Sequence, residues 1–392
     1  MIYNSQNPNT KTARKFSFFI NSTKIIATLG VLILASGLSV DILAQTSKEL
    51  RVNTKSKIEL RKSLKQTLKN DPSKIESTKL KPSSKDNLVT ENIEGFEVNF
   101  DLKAKKIKMK NKTKGDLSVG IPNSDKVTWV DVVDDKVIYT SIDQKTETIV
   151  EAVDGGFRQI INIKDGSAPN QYDFLLELVI GESLVVNEDG SAMIIQALTQ
   201  KEIKEKEELQ KTAPKDLIIP NYKIKTFIAK PWAKDANNKD LPTNYSVVNS
   251  NTLRQTIDFQ DAVFPVVADP LFCNSYISYT YWIPFRKTSW SLAVILTDCG
   301  RLKGGTWNLN DAWKETLDKT ENKCVKRSYT GLRCVQWIWD KAYGTSMYWS
   351  MYDQFDCHHS YFIAAVLEAE YNLELSRPNV GIVDTLKAKC NP

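Results

Sequence analysis

A chain of 392 residues is longer than one ordinary domain and sets an expectation of two or three. Hydrophobic residues make up 41% and charged residues 26%, which allows a core of normal size and excludes a wholly disordered chain. The net charge of +6 does not mark a nucleic-acid-binding domain. The stretch from Gln45 to Asn92 carries that charge alone, with 12 Lys or Arg against 6 Asp or Glu, and the region after Leu271 is close to neutral.

Residues 1–44 read as an export signal. A polar leader with Lys11, Arg14, Lys15 and Lys24 runs into an apolar stretch from Ile25 to Val40, with Ala44 where a signal peptidase would cut. Its 16 residues fall short of the roughly 20 that cross a bilayer comfortably, so cleavage is expected over retention as an anchor. The length and basic character of the leader suggest a Gram-positive origin and a secreted protein, released or held non-covalently at the wall.

Residues 45–92 are rich in Lys, Ser and Thr and contain no aromatic residue. They read as a solvated, flexible basic linker, with a short helix around Ile58 to Leu68. Such an arm could also concentrate the protein on anionic wall polymers or lipids.

From 93 to 267 the pattern is of short strands. Phe96 to Leu102 alternates at period two, as a strand with one buried face must. Val127 to Val133 and Val137 to Ile142 flank Asp134-Asp135, a hairpin turn. Phe157 to Ile163, Phe174 to Ile180, Leu184 to Val186 and Met193 to Gln196 follow. A charged helix near Gln200 to Lys211 precedes further strands at Tyr222 to Ala229 and Tyr245 to Val248. Many short strands at regular spacing predict a β-sandwich. The stretch holds no His, no Cys and no nucleophile motif, which fits a carrier or pro-domain.

Ala229-Lys230-Pro231-Trp232-Ala233-Lys234-Asp235-Ala236, Leu241-Pro242-Thr243-Asn244-Tyr245 and Phe264-Pro265-Val266-Val267-Ala268-Asp269-Pro270 resemble a pattern of secreted Gram-positive proteins. There it precedes C-terminal domains that differ from protein to protein. The resemblance implies a boundary at Asp269-Pro270, where cysteine and tryptophan usage also switch on.

All six cysteines (Cys273, Cys299, Cys324, Cys334, Cys357, Cys390) fall in 268–392, and no CxxC pair suggests zinc. An even number in a short exported segment reads as a disulfide framework, whose pairing sequence alone leaves open. Seven of the nine tryptophans fall there too, either as core or as an exposed platform for sugar or membrane, for which Trp337 and Trp339 are candidates. Strands at Ser275 to Ile283 and Trp290 to Leu296, and helices at Asp311 to Thr320 (capped by Asn310) and Met351 to Glu370, predict an α+β domain. The fold class is thus an all-β, sandwich-like N-terminal domain plus a small disulfide-rich α+β C-terminal domain.

Met351-Tyr352-Asp353-Gln354-Phe355-Asp356-Cys357-His358, Tyr371 to Gly381 and Cys390-Asn391-Pro392 resemble the signature of the family of secreted bacterial proteins numbered 2599 among the domains of unknown function. Ser289 to Val294 and Ala312-Trp313 are similar to its weaker upstream part. The chain departs from it at Tyr371, at Leu375-Ser376 and in its additional cysteines. The resemblance implies secretion and fold relatives but no chemistry.

His358 and His359 are the only histidines, and His358 is the natural proton shuttle. Glu374 and Arg377, on a turn after the helix, could complete an acid/base set with it, and Asp353 and Gln354 share its surroundings as candidate binding residues. The alternative is a buried ion pair, Glu374–Arg377 or Asp353–Arg377, tying the C-terminus to the helix. Cys357 is expected in a disulfide, with Cys390 a candidate partner, rather than as a nucleophile. No metal, cofactor or nucleic acid is expected. The leading expectation is a secreted effector whose C-terminal domain acts on competitor cells or host surfaces, through a cell-surface polymer, membrane or protein target. The alternatives are a wall-associated glycan- or surface-binding module and a metal-independent hydrolase using His358. Cleavage near Asp269-Pro270 would separate an effector from a module.

Overall fold

The computed structural model describes residues 58–59, 61–62, 64–69, 71, 75–93, 95–213, 219–285, 289–301, 309–320, 324–327, 331–334, 345–361 and 370–392. The chain divides into two units, Met1–Leu60 and Arg61–Pro392, and every element below belongs to the second. The proposed export signal lies outside the described residues. Among those described, no helix is long and apolar enough to cross a membrane.

Strands β1 (Lys81–Ser84), β2 (Asn87–Val89), β3 (Phe96–Asp101), β4 (Lys106–Asn111) and β5 (Leu117–Gly120) form one meander. A second consists of β6 (Val127–Val133), β7 (Lys136–Ser141), β8 (Thr146–Val153) and β9 (Gly156–Ile163). Then come β10 (Gln171–Glu177), β11 (Glu182–Val186), β12 (Ala192–Ala197), helix α1 (Gln200–Thr212) and β13 (Tyr222–Ile228). The series ends with β14 (Trp232–Lys234), β15 (Thr243–Asn249), β16 (Thr252–Ile257), β17 (Val266–Asp269) and β18 (Leu271–Cys273). Asp134 and Asp135 both take left-handed backbone angles, φ 49° and 61°, as a two-residue hairpin turn requires.

Two antiparallel sheets result. One runs β1-β2-β3-β4-β5-β10-β16-β15, and the other runs β11-β12-β13-β18-β9-β8-β7-β6 with β14 and β17 alongside. Alternate residues of both, including Phe100, Ile107 and Phe174 from the first and Val150, Phe157 and Ile161 from the second, bury into one shared core. This is the sandwich that the period-two pattern predicts. β1 and β2 arise within the stretch read as a linker, because Leu80 and Leu88 pack against that core.

The same stretch also covers the outer face of the second sheet. Thr78 N–H bonds Ala152 O at 2.8 Å, and Asp71 pairs with Arg158 at 2.6 Å. Arg158 also meets Glu151, and Lys136 pairs with Glu151 at 2.8 Å. Asp269 completes the buried cluster, 3.9 Å from Arg158. Burial pushes the Asp269 carboxyl up, against the pull of Arg158 and with Asp71 and Glu151 adding repulsion, to about 7.

The C-terminal domain packs onto that outer face. It comprises β19 (Ile277–Phe285), β20 (Ser289–Leu296), α2 (Asp298–Arg301), α3 (Leu309–Thr320), β21 (Cys324–Arg327) and β22 (Gly331–Cys334). α4 (Ser346–Asp356), a π-turn (Cys357–Tyr361), β23 (Glu370–Glu374) and α5 (Ile382–Lys387) follow. A three-stranded sheet, β19-β20-β23, buries Leu292, Val294, Tyr371 and Leu373 against Trp313, Trp349 and Phe355 of the helices. The helix expected from Met351 to Glu370 therefore starts earlier and leaves α geometry at Cys357. The turn expected to hold Glu374 is a strand, because Tyr371 and Leu373 alternate into the core.

The junction between the domains is one strand. β18 pairs with β9 and with β13 inside the second sheet. Its residues point alternately to the two faces. Phe272 enters the sandwich core, stacked 4.8 Å from Phe157, while Leu271 and Cys273 enter the C-terminal core beside Val153 and Phe227. Gly156 lies opposite Cys273, and a Cβ there would meet Phe272 O at 2.0 Å, so only glycine allows the approach. The neighbouring Gly155 adopts φ +85° and accepts hydrogen bonds from the N–H groups of Asn274 and Ser275, each at 3.0 Å.

A buried charge cluster locks the same junction. Lys114, from the β4–β5 turn, reaches Asp311 at 2.9 Å and Glu315 at 3.2 Å on α3, with its Nζ 3.9 Å from the centre of the Tyr276 ring. Burial pulls the Lys114 ammonium down, but the two carboxylates outweigh it, and the net direction is upward. Glu315 also accepts from Ser275 Oγ at 2.5 Å and Tyr276 N–H at 2.9 Å.

Candidate functional site

The signature residues of the C-terminal domain converge on one another. The Gln354 side chain accepts from Glu374 N–H at 2.9 Å and donates to Glu374 O at 3.1 Å, fastening α4 to β23. Ser350 Oγ donates toward Arg377 O at 3.0 Å and Pro378 O at 3.2 Å. Arg377 pairs with Glu374 at 3.5 Å and donates to Pro392 O at 3.0 Å. The Cys357–Cys390 disulfide closes the same region.

His358 and His359 lie on the π-turn and are buried. His358 stacks on Tyr371 at 5.2 Å, and His359 stacks on Phe355 at 5.5 Å. Burial alone drives the His359 imidazole down to about 4. Asp353 is buried as well. The structure thus joins Glu374 to both Arg377 and Gln354, and sets His358 against an aromatic ring. Trp337 and Trp339 lie outside the described residues. Of the other tryptophans, Trp282, Trp313 and Trp349 are core residues, each at most 8% exposed. Among the described residues, no group of three or more His, Cys, Asp or Glu is placed to hold a metal.

An open feature lies elsewhere among the described residues. A cavity of about 660 Å³ separates α1 of the sandwich from α3 and α4, a volume usual for small-molecule sites. Trp313, Tyr348, Trp349 and Tyr352 border it on one side, and Leu209 of α1 on the other. The sequence fixes α1 there by a capping box, with Thr199 accepting from Glu202 N–H and the Glu202 carboxylate accepting from Thr199 N–H. No residue of α1 is buried. Leu209 packs against the C-terminal core, and the other attachments of α1 are polar: Glu202 pairs with Lys223 at 2.9 Å and Lys314 at 3.7 Å, and Trp349 Nε1 donates to Thr212 Oγ1 at 3.4 Å. Burial raises the Glu202 carboxyl, but the Thr199 amide and Lys223 outweigh it and hold it at about 2.

Sequence reasoning placed Trp313 and α1 in their elements but could not foresee the cavity, whose walls come from the distant segments 198–224 and 310–352. The available signal was the pair of apolar residues, Ile203 and Leu209, on a helix that is otherwise charged or polar.

Residues 277–392 match the family described as "Protein of unknown function (DUF2599)". No curated protein and no solved structure matches the chain.

Proposed function

We propose that this protein, which carries a DUF2599 domain at its C-terminus, is an exported binding protein that works whole at the cell surface. The observation that carries the reading is the cavity shared between the domains, with one wall on α1 and the other on α3 and α4. A C-terminal domain set free would lose that wall. The disulfides Cys273–Cys299 and Cys357–Cys390 fit an oxidising compartment outside the cytoplasm.

The effector reading, in which cleavage near Asp269-Pro270 releases the C-terminal domain, is less well supported. A cut there leaves β18 held between β9 and β13, with Phe272 in the sandwich core. The hydrolase reading is weakened by the stacking of His358 on Tyr371. The test is recovery of the protein from culture supernatant and wall fractions of its native host, with sequencing from both termini. One chain from Gln45 to Pro392 is expected. Accumulation of a free fragment beginning near Leu271 would overturn the proposal.

A further inference from the structure

Polar atoms of the aromatic wall are engaged inside the protein. Trp313 Nε1 donates to Tyr348 Oη at 2.9 Å, Trp349 Nε1 to Thr212 Oγ1 at 3.4 Å, and Tyr352 Oη to Asn310 Oδ1 at 3.0 Å. What the wall offers the cavity is mostly apolar ring surface. Leu198, Leu209, Ile219, Ile224 and Leu317 add aliphatic surface. Nine charged side chains line it as well, among them Glu202, which pairs with both Lys223 and Lys314.

A sugar would need convergent donors and acceptors, since each of its hydroxyls stripped of water without a partner costs free energy. A hydrocarbon chain needs none, and gains about 0.8 kcal/mol per buried methylene. We infer that this cavity holds a single acyl chain of an amphiphile, with the polar head left among those charges. The inference rests on the proposed role of the shared cavity. Helix α1 has no buried residue; ion pairs, the Trp349 indole, hydrogen bonds through Lys206 and Gln210, and the partly buried Leu209 hold it, and local opening of these contacts would admit such a chain.

The experiment uses the full chain and two ligands with the same tail, palmitate and palmitoyl-lysophosphatidylcholine, each titrated calorimetrically below its aggregation concentration. Chitohexaose serves as the glycan arm. Saturable binding of one palmitoyl chain per protein is expected, and the two arms tell a free fatty acid from a lysolipid as its source. Leu209→Glu and Leu317→Glu place a charge in the cavity and should each weaken binding at least about tenfold. Leu209→Trp fills the space instead, and should do the same with an unchanged melting temperature. Failure of both palmitoyl ligands to bind, or equal binding by all three variants, overturns the inference. Chitohexaose binding that these variants abolish also overturns it, while leaving the shared cavity as the site. Release of the C-terminal domain in the host would instead strike the proposed function, whatever palmitate does.

Discussion

Gln354 and Glu374 are joined by a two-way hydrogen bond between a side-chain amide and a backbone peptide, at 2.9 and 3.1 Å. Both residues are buried, so no water replaces either bond. Gln354→Leu leaves a buried N–H and a buried carbonyl unsatisfied and is expected to cost on the order of 2–4 kcal/mol. Melting of the purified full chain measures it. Loss of binding at a normal melting temperature would instead make Gln354 a ligand residue.

The Lys114 ammonium compensates two carboxylates at the domain junction. Lys114→Met removes the cation shared by Asp311 and Glu315 and leaves Glu315, which is 3% exposed, with Lys319 alone at 3.3 Å. A loss of roughly 3–5 kcal/mol is expected. Pairing it with Glu315→Gln should recover part of that loss, so a double-mutant cycle read by denaturant unfolding is the check. Additive losses would remove the coupling.

Gly156→Ala forces a methyl group to within 2.0 Å of a backbone oxygen in β18. The strand must shift, at about 1–3 kcal/mol or more. Limited proteolysis should then open the chain near residue 270 at a lower protease concentration than in the wild type. An unchanged cleavage profile would show that the junction yields without loss.

His359 is expected to make stability fall with acid. Its imidazole titrates near 4 in the folded protein against an ordinary value of 6.5. Between those values the unfolded chain binds a proton that the native ring refuses, so stability is lost as pH drops from about 6.5 toward 4, by on the order of 3 kcal/mol. Asp269, held near 7, has the opposite sign, since its native carboxyl keeps a proton that the unfolded chain releases above about 3.8. The measurement is therefore the difference between wild type and His359→Phe across pH 4–7. A pH-independent difference would contradict the assignment.

Cys324 and Cys334 lie opposite each other in the β21–β22 register. Opposed strand residues sit about 4.5–5.5 Å apart at Cα, within the span of a disulfide. Intact mass should show the loss of six hydrogens relative to the fully reduced chain. Two alkylatable thiols in the native protein would leave only the Cys273–Cys299 and Cys357–Cys390 bonds.

Much of the sandwich was legible because β3, with Val98 and Phe100 inward, follows the simplest rule of a half-buried strand. β8 and β9 were harder. Glu151 and Arg158 look like residues of a wet face, yet both are at most 1% exposed, because Asp71, residues 75–80 and the C-terminal domain cover that face. The same covering segment reads as spacer in the sequence because its anchors are the isolated apolar residues Ile75 and Leu80 and the polar groups of Asp71, Ser77 (bonded to Glu151) and Thr78, which carry no periodic signal. In the C-terminal domain the Cys357–Cys390 partnership could be named in advance. The pairing of Gln354 with β23 could not, because Tyr371 to Glu374 is too short to distinguish a strand from a turn.

β18 also constrains how such a protein can diversify. Its three residues serve two cores at once, one through Phe272 and the other through Leu271 and Cys273. A genetic crossover upstream of it would leave a slot between β9 and β13, with backbone edges exposed in the middle of a sheet. Only an incoming segment that opens with a strand of the same alternation could close the slot. A crossover just downstream would keep the sheet whole but orphan Cys273 from Cys299. Shuffling of C-terminal domains behind this sandwich is therefore limited to partners that bring the strand and its cysteine bond together, as one inherited piece.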